Sequence, residues 1–224
     1  FSNALIVDLG GRTLVVDAFD AVPPARDLRR AAEWIFERGV DEVAFTHAHA
    51  DHWLGAAAFS EDTELWASEV TDRAWRRQVP ALVEERKDRR AWEAYRQETE
   101  EALQSAQDER VRAGLERLLT RIGYTLRYMD EWTPRYADRT FREPVLFEGQ
   151  ERMAVLRSLG RGHSDDDAVL WLADEGVAFL GDVGFFHMQP YMGACDLDLY
   201  RQQVRTVLAR WASDLTAPGA DGRI

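Results

Sequence analysis

The order of apolar and helical segments places the chain in the α/β (α+β) class. Apolar runs at residues 4–8 and 13–17 are joined across Gly10-Gly11, a pattern typical of a β-hairpin. Residues 25–38 carry apolar side chains at helical spacing, and residues 40–45 form another apolar run. We therefore expect a sheet that begins with a hairpin and continues after a helix.

Local signals set the expected ends of these elements. Pro23-Pro24 breaks the chain before the first helix, and Gly39 is expected to end that helix as a C-cap. After the strand that follows, residues 53–59 predict the start of a helix and residues 63–67 a short strand.

A second group of apolar runs predicts a second sheet. The runs are residues 145–147, 153–156, 169–172 and 177–180, and the last two are separated by a turn at residues 174–176. Residues 131–144 show no regular pattern, and residues 198–211 predict a final helix.

The segment from about residue 69 to residue 130 is long, charged and helical. Apolar side chains recur in it at three- and four-residue spacing, namely Val111, Leu115, Leu118, Ile122 and Met129. We expect two or three helices that form an insertion and pack against the rest of one domain spanning residues 1–224.

Charge and cysteine content exclude several classes of function. The formal net charge of −12 argues against binding to nucleic acid or to an anionic membrane surface. The single Cys195 excludes an internal disulfide and favours a reducing, cytoplasmic location. No apolar run has membrane length and no signal peptide is evident, although a chain that begins with Phe1 leaves room for a removed leader.

Four potential metal ligands lie within six residues, directly after the apolar run that ends at Phe45. In extended chain, side chains two residues apart point the same way, so His47 and His49 can reach one metal ion. Asp51 and His52 fall where the chain must turn and can face a second metal ion. Imidazole and carboxylate groups are both common zinc ligands. A His-rich surface loop is a poorer explanation because the chain has only five His residues.

Two later segments offer further ligands. The glycine-rich run from Gly160 to Ser164 presents His163, and Gly181 precedes Asp182 at the end of an apolar strand, where its carboxylate would emerge at the same sheet edge. Asp165-Asp166-Asp167 predicts a solvated turn that can hydrogen-bond the His163 loop without supplying ligands.

The His-x-His-x-Asp-His pattern of residues 47–52 resembles the signature of the metallo-β-lactamase-fold hydrolases. The opening hairpin, the Gly162-His163-Ser164 segment and the strand ending in Gly181-Asp182 resemble further elements of that family, in the same order. The resemblance implies an αββα sandwich of two mixed β-sheets with helices outside and a helical insertion at about residues 69–130. It also implies that the insertion is a substrate lid; a dimerisation surface or structural padding are the alternatives.

The resemblance implies two adjacent metal sites. One is formed by His47, His49 and His163, and the other by Asp51, His52 and the bridging Asp182. Asp51 is then the catalytic residue that orients a metal-bound hydroxide and shuttles its proton. Because His49 stands where di-iron members carry Glu, the expected cofactor is Zn²⁺, one or two ions per chain.

The sequence departs from the family at its end. A late His usually completes the second site, whereas this chain has Ala220 in the corresponding stretch. Ala cannot bind a metal ion, and Asp221 is the available substitute. A protein with one zinc ion, or with reduced activity, is therefore consistent with the sequence.

The resemblance implies a zinc-dependent hydrolase that acts on a small or medium ester, lactone, thioester or amide. The alternative is a non-catalytic or weakly active member that binds a metal and recognises a ligand in the cleft; phosphodiester hydrolysis is disfavoured by the acidic charge. The expected partner is a small-molecule substrate, with a homodimer through the insertion as an open alternative.

Several other residues have two interpretations each. Asp17 either supports the metal site or is a strand-end turn carboxylate. Residues 185–193 predict a pocket-lining loop in which His187 either contacts substrate or has no role. Trp132 and Tyr136 are candidate pocket walls.

Overall fold

The computed structural model describes residues 2–185, 189–193 and 195–215, with side chains to residue 210. Its first sheet has five strands in chain order, and only the opening hairpin is antiparallel. The strands are β1 (Leu5–Asp8), β2 (Thr13–Val16), β3 (Glu42–Ala44), β4 (Glu64–Ser68) and β5 (Arg139–Phe141). Because β2, β3 and β4 are parallel, the loops after them meet at one edge of the sheet.

The second sheet has four strands, also in chain order. They are β6 (Val145–Glu148), β7 (Met153–Ser158), β8 (Ala168–Leu172) and β9 (Val177–Phe179). All three pairings are antiparallel, so only the first sheet is mixed.

The helices lie outside the two sheets. They are α1 (Val22–Phe36), α2 (Ala50–Trp53), α3 (Glu69–Lys87), α4 (Arg89–Ser105), α5 (Glu109–Tyr128) and α6 (Leu197–Leu215). A 3-10 helix, Leu54–Ala58, continues directly from α2.

Three apolar clusters define four layers. Leu14, Val16 and Ala44 of the first sheet pack with Leu156 and Leu170 of the second to fill the space between the sheets. The opposite face of the first sheet packs against α1 and the 3-10 helix, and the outer face of β8 packs against Val207 of α6. This is the predicted αββα sandwich.

The start and end of α1 differ from the sequence expectation. Pro23 and Pro24 lie inside its first turn, where proline is tolerated because the backbone N–H groups lack intrahelical partners. Glu37, with φ 52°, takes the left-handed conformation at the end of the helix, so Gly39 is not the cap.

Three helices, α3 to α5, occupy the segment between β4 and β5. Pro80 lies within α3. Helices α4 and α5 pack on each other around Ile122, Leu126 and Met129, with Trp92 at the edge of that cluster. Within the described residues, no helix has the length and apolar character needed to cross a bilayer.

Candidate metal centre

The loop after β3 carries the His-rich motif to the edge of the first sheet. The Phe45 N–H donates to the carbonyl of Trp66 at 2.9 Å, which continues the strand pairing to the start of the motif. His49 has an extended backbone and precedes α2, and the His52 N–H donates to the His49 carbonyl at 3.0 Å. The chain therefore turns between His49 and His52, as the spacing predicts.

Four side chains bring potential ligand atoms within 4.8 Å of one another: His47, His49, His163 and Asp182. His163 Nε2 lies 2.9 Å from His49 Nδ1 and 3.3 Å from Asp182 Oδ2. His47 Nε2 lies 4.0 Å from the same Asp182 oxygen. The edges of a tetrahedral zinc site are about 3.3 Å long for Zn–N bonds of about 2.0–2.1 Å, which is within this range.

The other predicted ligands lie on the opposite side of Asp182. His52 Nε2 is 3.3 Å from Asp182 Oδ1 and 3.8 Å from Asp51 Oδ2. One carboxylate oxygen of Asp182 therefore faces His47 and His163 while the other faces His52. This is the position that a bridging ligand between two metal sites requires.

Asp17 lies beneath the motif and contacts it directly. Its carboxylate accepts hydrogen bonds from the Thr46 N–H and Thr46 Oγ1, both at 2.9 Å, and lies 2.7 Å from His52 Nδ1. Thr46 Oγ1 is in turn 3.0 Å from His47 Nδ1. Groups that hold the outer nitrogen of a ligating His fix the orientation of its ring. The geometry therefore favours Asp17 as a support of the metal site over Asp17 as a strand-end turn carboxylate.

Gly181 allows the Asp182 turn to lie against this motif. It has φ 51°, and a Cβ added there would lie 2.7 Å from Thr46 Oγ1. The left-handed conformation and the close approach both favour glycine. The residue before the shared carboxylate is therefore fixed by backbone conformation and by space.

The His163 loop is held by the acidic turn that follows it. Asp167 Oδ2 accepts the His163 N–H at 2.8 Å, and its Oδ1 accepts Ser164 Oγ at 2.6 Å. The expectation of a solvated turn is wrong for Asp166 and Asp167, which are buried. Only Asp165 is exposed, and it pairs with Arg77 at 2.9 Å. A run of three acids gives no sign in the sequence that two of them point inward.

The electrostatics of the site favour the cation-binding forms of His47, His49 and Asp182. Burial lowers the pKa of His47 well below its usual value and also lowers that of His49. Both imidazoles are therefore neutral, which is the form that binds a metal ion. Burial opposes ionisation of Asp182, but the adjacent imidazoles of His163 and His52 outweigh it and hold the pKa of that carboxyl far below its usual value. For His52, burial is outweighed by the Asp17 carboxylate, which raises the pKa to about 10.

Two buried nitrogens at the centre of the site fit a metal ion. Within the described part of the chain, neither His47 Nε2 nor His52 Nε2 has a hydrogen-bond partner, although the other nitrogen of each ring is engaged. Buried polar atoms without partners are rare and call for an explanation. Zinc, which binds imidazole and carboxylate groups, would satisfy His47 Nε2 on one side of Asp182 and neutral His52 Nε2 on the other.

Aromatic side chains lie beside the cluster. The ring centroid of Tyr191 is 5.9 Å from that of His49, and the centroid of Phe185 is 5.8 Å from that of His163. Trp132, a candidate pocket wall, is instead buried in the core, where its Nε1 donates to the Leu54 carbonyl. Tyr136 lies half-buried beneath the Arg76 guanidinium.

Three residues that the sequence analysis discusses in connection with the site lie outside the described residues: His187, Ala220 and Asp221.

Comparison with known proteins gives a consistent picture. The family model described as "Metallo-beta-lactamase superfamily" matches residues 1–216. A search of the curated proteins finds no match.

Solved structures share the fold at low identity. A metallo-beta-lactamase from Pontibacter korlensis has 15% identity and a TM-score of 0.66, with 95% of this chain and 76% of that one covered. The metallo-beta-lactamase FIM-1 from Pseudomonas aeruginosa, in its mono-zinc form, has 20% identity and a TM-score of 0.58, with 94% and 72% covered. A metallo beta lactamase from Hirschia baltica has 15% identity and a TM-score of 0.59, with 95% and 75% covered. At these identities the likeness shows the fold alone.

Proposed function

The chain belongs to the metallo-beta-lactamase superfamily, and we propose that it is a zinc-dependent hydrolase of a small or medium ester, lactone, thioester or amide. Family membership and the cluster of donors support a metal-dependent hydrolase. The observation that carries the proposal is the position of Asp182, whose two carboxylate oxygens face different imidazoles.

The proposed ligands divide between the two sides of this carboxylate. One side has His47, His49 and His163, and the other has Asp51 and His52. When bound, zinc polarises a carbonyl oxygen and lowers the pKa of a coordinated water toward neutrality. Both effects favour attack of water on an acyl carbon.

Asp51 is the residue that we assign to proton transfer. Its Oδ2 lies 3.8 Å from His52 Nε2, and its side chain is 33% exposed whereas that of His52 is 1% exposed. The carboxylate therefore contacts both the buried site and solvent. From this position it can orient the attacking water, accept its proton and pass that proton to the leaving group.

The surroundings of the site support a small organic substrate. Tyr191 is exposed beside His49, and Phe185 lies beside His163, which gives apolar walls next to a few polar groups. The net charge of −12 disfavours polyanionic substrates such as nucleic acids and makes phosphodiesters the less favoured substrates.

Metal content and hydrolysis measured on one preparation test the proposal. We expect between one and two equivalents of zinc and hydrolysis of at least one substrate in a panel of esters, lactones, thioesters and amides. Chelation should abolish this activity and added zinc should restore it. The His163→Ala variant is the matched control and should lose both metal and activity.

Two outcomes contradict the proposal in different ways. Absence of any transition metal after zinc supplementation at neutral pH would refute the hydrolase. Stoichiometric zinc without hydrolysis of any panel member would favour the alternative, a non-catalytic or weakly active ligand-binding protein, for which Ala220 is the sequence argument.

We further propose that the insertion acts as a lid or forms a homodimer. Ion pairs join it to loops near the site: Arg77 with Asp165 at 2.9 Å and Arg121 with Asp20 at 3.4 Å. A dimer in light scattering that Val111→Glu converts to a monomer would support the homodimer, since Val111 is an exposed apolar residue of α5. A monomer whose KM rises in Arg77→Ala would support the lid.

A cytoplasmic location, supported by the single cysteine, is likewise a proposal.

A further inference from the structure

The His163 ring is positioned differently from the other buried imidazoles. The outer nitrogens of His47 and His52 lie within hydrogen-bond distance of Thr46 and Asp17, respectively. In contrast, His163 Nδ1 is buried and has no hydrogen-bond partner among the described residues. Since no such partner holds the outer side of this ring, its place in the site depends on the backbone of its loop.

Asp167 is the group that fixes this backbone. Its carboxylate accepts the His163 N–H at 2.8 Å and the Ser164 N–H at 3.0 Å. The two ends of the loop are also joined, because the Asp167 N–H donates to the Gly160 carbonyl at 3.0 Å. A displacement of the Asp167 carboxylate would therefore move the His163 backbone.

Gln203 of α6 holds both ends of the loop with one amide group. Its Nε2 donates to Asp167 Oδ2 at 2.9 Å and to the Gly160 carbonyl at 2.7 Å. Both partners are acceptors, so only the amide nitrogen, and not the amide oxygen, can face them. The side chain is only 3% exposed, which makes the loss of either bond costly.

The loop lies directly on this part of α6. A Cβ added to Gly162 would overlap the Gln203 amide, so the loop has no room to carry a side chain there. One turn earlier, the Tyr200 hydroxyl donates to the Val183 carbonyl at 3.2 Å, next to Asp182. The same face of α6 therefore contacts both segments that supply ligands from the second sheet.

We propose that Gln203 is a positioning residue that sets the metal affinity of the site by fixing the His163 loop through Asp167. The inference rests on the proposed function only in that the site binds zinc. Partners that orient a metal ligand typically change metal affinity by about 10- to 100-fold when removed. A similar loss is expected for Gln203, because its two hydrogen bonds hold the loop that carries His163.

The test compares zinc affinity across variants of α6. Gln203→Met removes both hydrogen bonds but keeps an unbranched side chain, and its Kd for zinc in chelator competition should rise about 10- to 100-fold. Gln202→Met makes the same change at an exposed neighbouring position and should leave the Kd unchanged. Val207→Ala shortens a buried apolar side chain of α6 and should lower thermal stability with the zinc Kd unchanged.

Two further measurements separate positioning from general destabilisation. The visible absorption of bound Co²⁺ reports the arrangement of its ligands, and it should change in Gln203→Met but not in Val207→Ala. In an Asp167→Asn background, Gln203→Met should raise the Kd by less than about threefold, because residues that act through one another are not additive. Gln203→Asn, whose shorter side chain cannot reach both acceptors, replaces Gln203→Met if that variant does not fold.

The failures of the two proposals are distinguishable. The role of Gln203 is refuted, and the hydrolase proposal stands, if the unaltered protein and Gln203→Met bind zinc equally well. The same holds if Val207→Ala lowers the zinc affinity as much as Gln203→Met does. If the unaltered protein binds no zinc, both proposals are refuted.

Discussion

Replacement of Asp17 by Asn tests whether the buried carboxylate beneath the motif controls the second metal site. Asp17 has φ 62°, a conformation that Asn tolerates better than most residues, so the backbone should be retained. The side chain is 0% exposed, and its Oδ2 lies 2.9 Å from Thr46 Oγ1 and 2.7 Å from His52 Nδ1. In the variant, an amide NH₂ in this position would face the His52 Nδ1–H, which is also a donor, and could no longer accept a hydrogen bond from Thr46 Oγ1.

The expected size of the effect follows from these contacts. Loss of a carboxylate behind a ligating His costs about 10- to 100-fold in metal affinity. At about 1.4 kcal/mol per tenfold change, this corresponds to about 1.4–2.8 kcal/mol. Because Asp17 lies against His52 and reaches His47 only through Thr46, the site on the His52 side should lose its metal ion first.

Zinc titration against a chelator of known affinity is the assay. We expect the weaker of two sites, or the single site if only one is filled, to shift by the stated factor. Glu42→Gln is the matched control, since Glu42 is a buried acid at the opposite end of β3 and pairs with Arg12. It should remove that ion pair without changing the zinc Kd. An unchanged Kd in Asp17→Asn, or an equal shift in Glu42→Gln, would refute the reasoning.

Three further predictions concern single residues around the site. Asp51→Asn should keep most of the metal while kcat falls about 10²- to 10⁴-fold, and full recovery at saturating zinc would show that Asp51 is only a ligand. An Ala in the left-handed conformation costs about 1–2 kcal/mol, and Gly181→Ala should lower the free energy of unfolding by more than this because its Cβ would also contact Thr46. Gly176→Ala, with φ 65° and open space around it, should cost only that amount in the same denaturant titration. Burial raises the pKa of Asp166, so ionisation of this carboxyl lowers the free energy of unfolding once the pH rises above the pKa of the unfolded state. Asp166→Asn should therefore be more stable than the parent protein at pH 7, and this difference should disappear in thermal melts at acidic pH.

The sequence predicts the layers of the fold well because the apolar runs are strong local signals. It does not predict β5, since Arg139–Phe141 has two exposed residues and pairs with β4 only in the folded chain. The first turn of α1 is missed for a related reason: a Pro pair is read as a break, although the first turn of a helix tolerates it.

The sequence likewise predicts only part of the candidate site. The spacing of the motif depends on local chain geometry, and it predicts the proposed ligands His47, His49, Asp51 and His52. The supporting side depends on contacts between distant segments, such as Asp17 with His52 or Asp167 with Gln203. A carboxylate whose partner lies 35 or 36 residues away looks, in the sequence, like any other turn or surface acid.

The proposed ligands come from both sheets, and this links metal binding to the packing between the layers. His47 and His49 follow β3 of the first sheet, whereas His163 and Asp182 follow β7 and β9 of the second. At this edge the Ala168 N–H donates to the Thr46 carbonyl at 2.7 Å, so the two sheets are hydrogen-bonded next to the site. A ligand that binds only the folded state stabilises it by about 2.7 kcal/mol at 100 times its Kd. Zinc bound across this edge would therefore oppose separation of the sheets, and any substitution that shifts one sheet against the other should weaken zinc binding even where it touches no ligand.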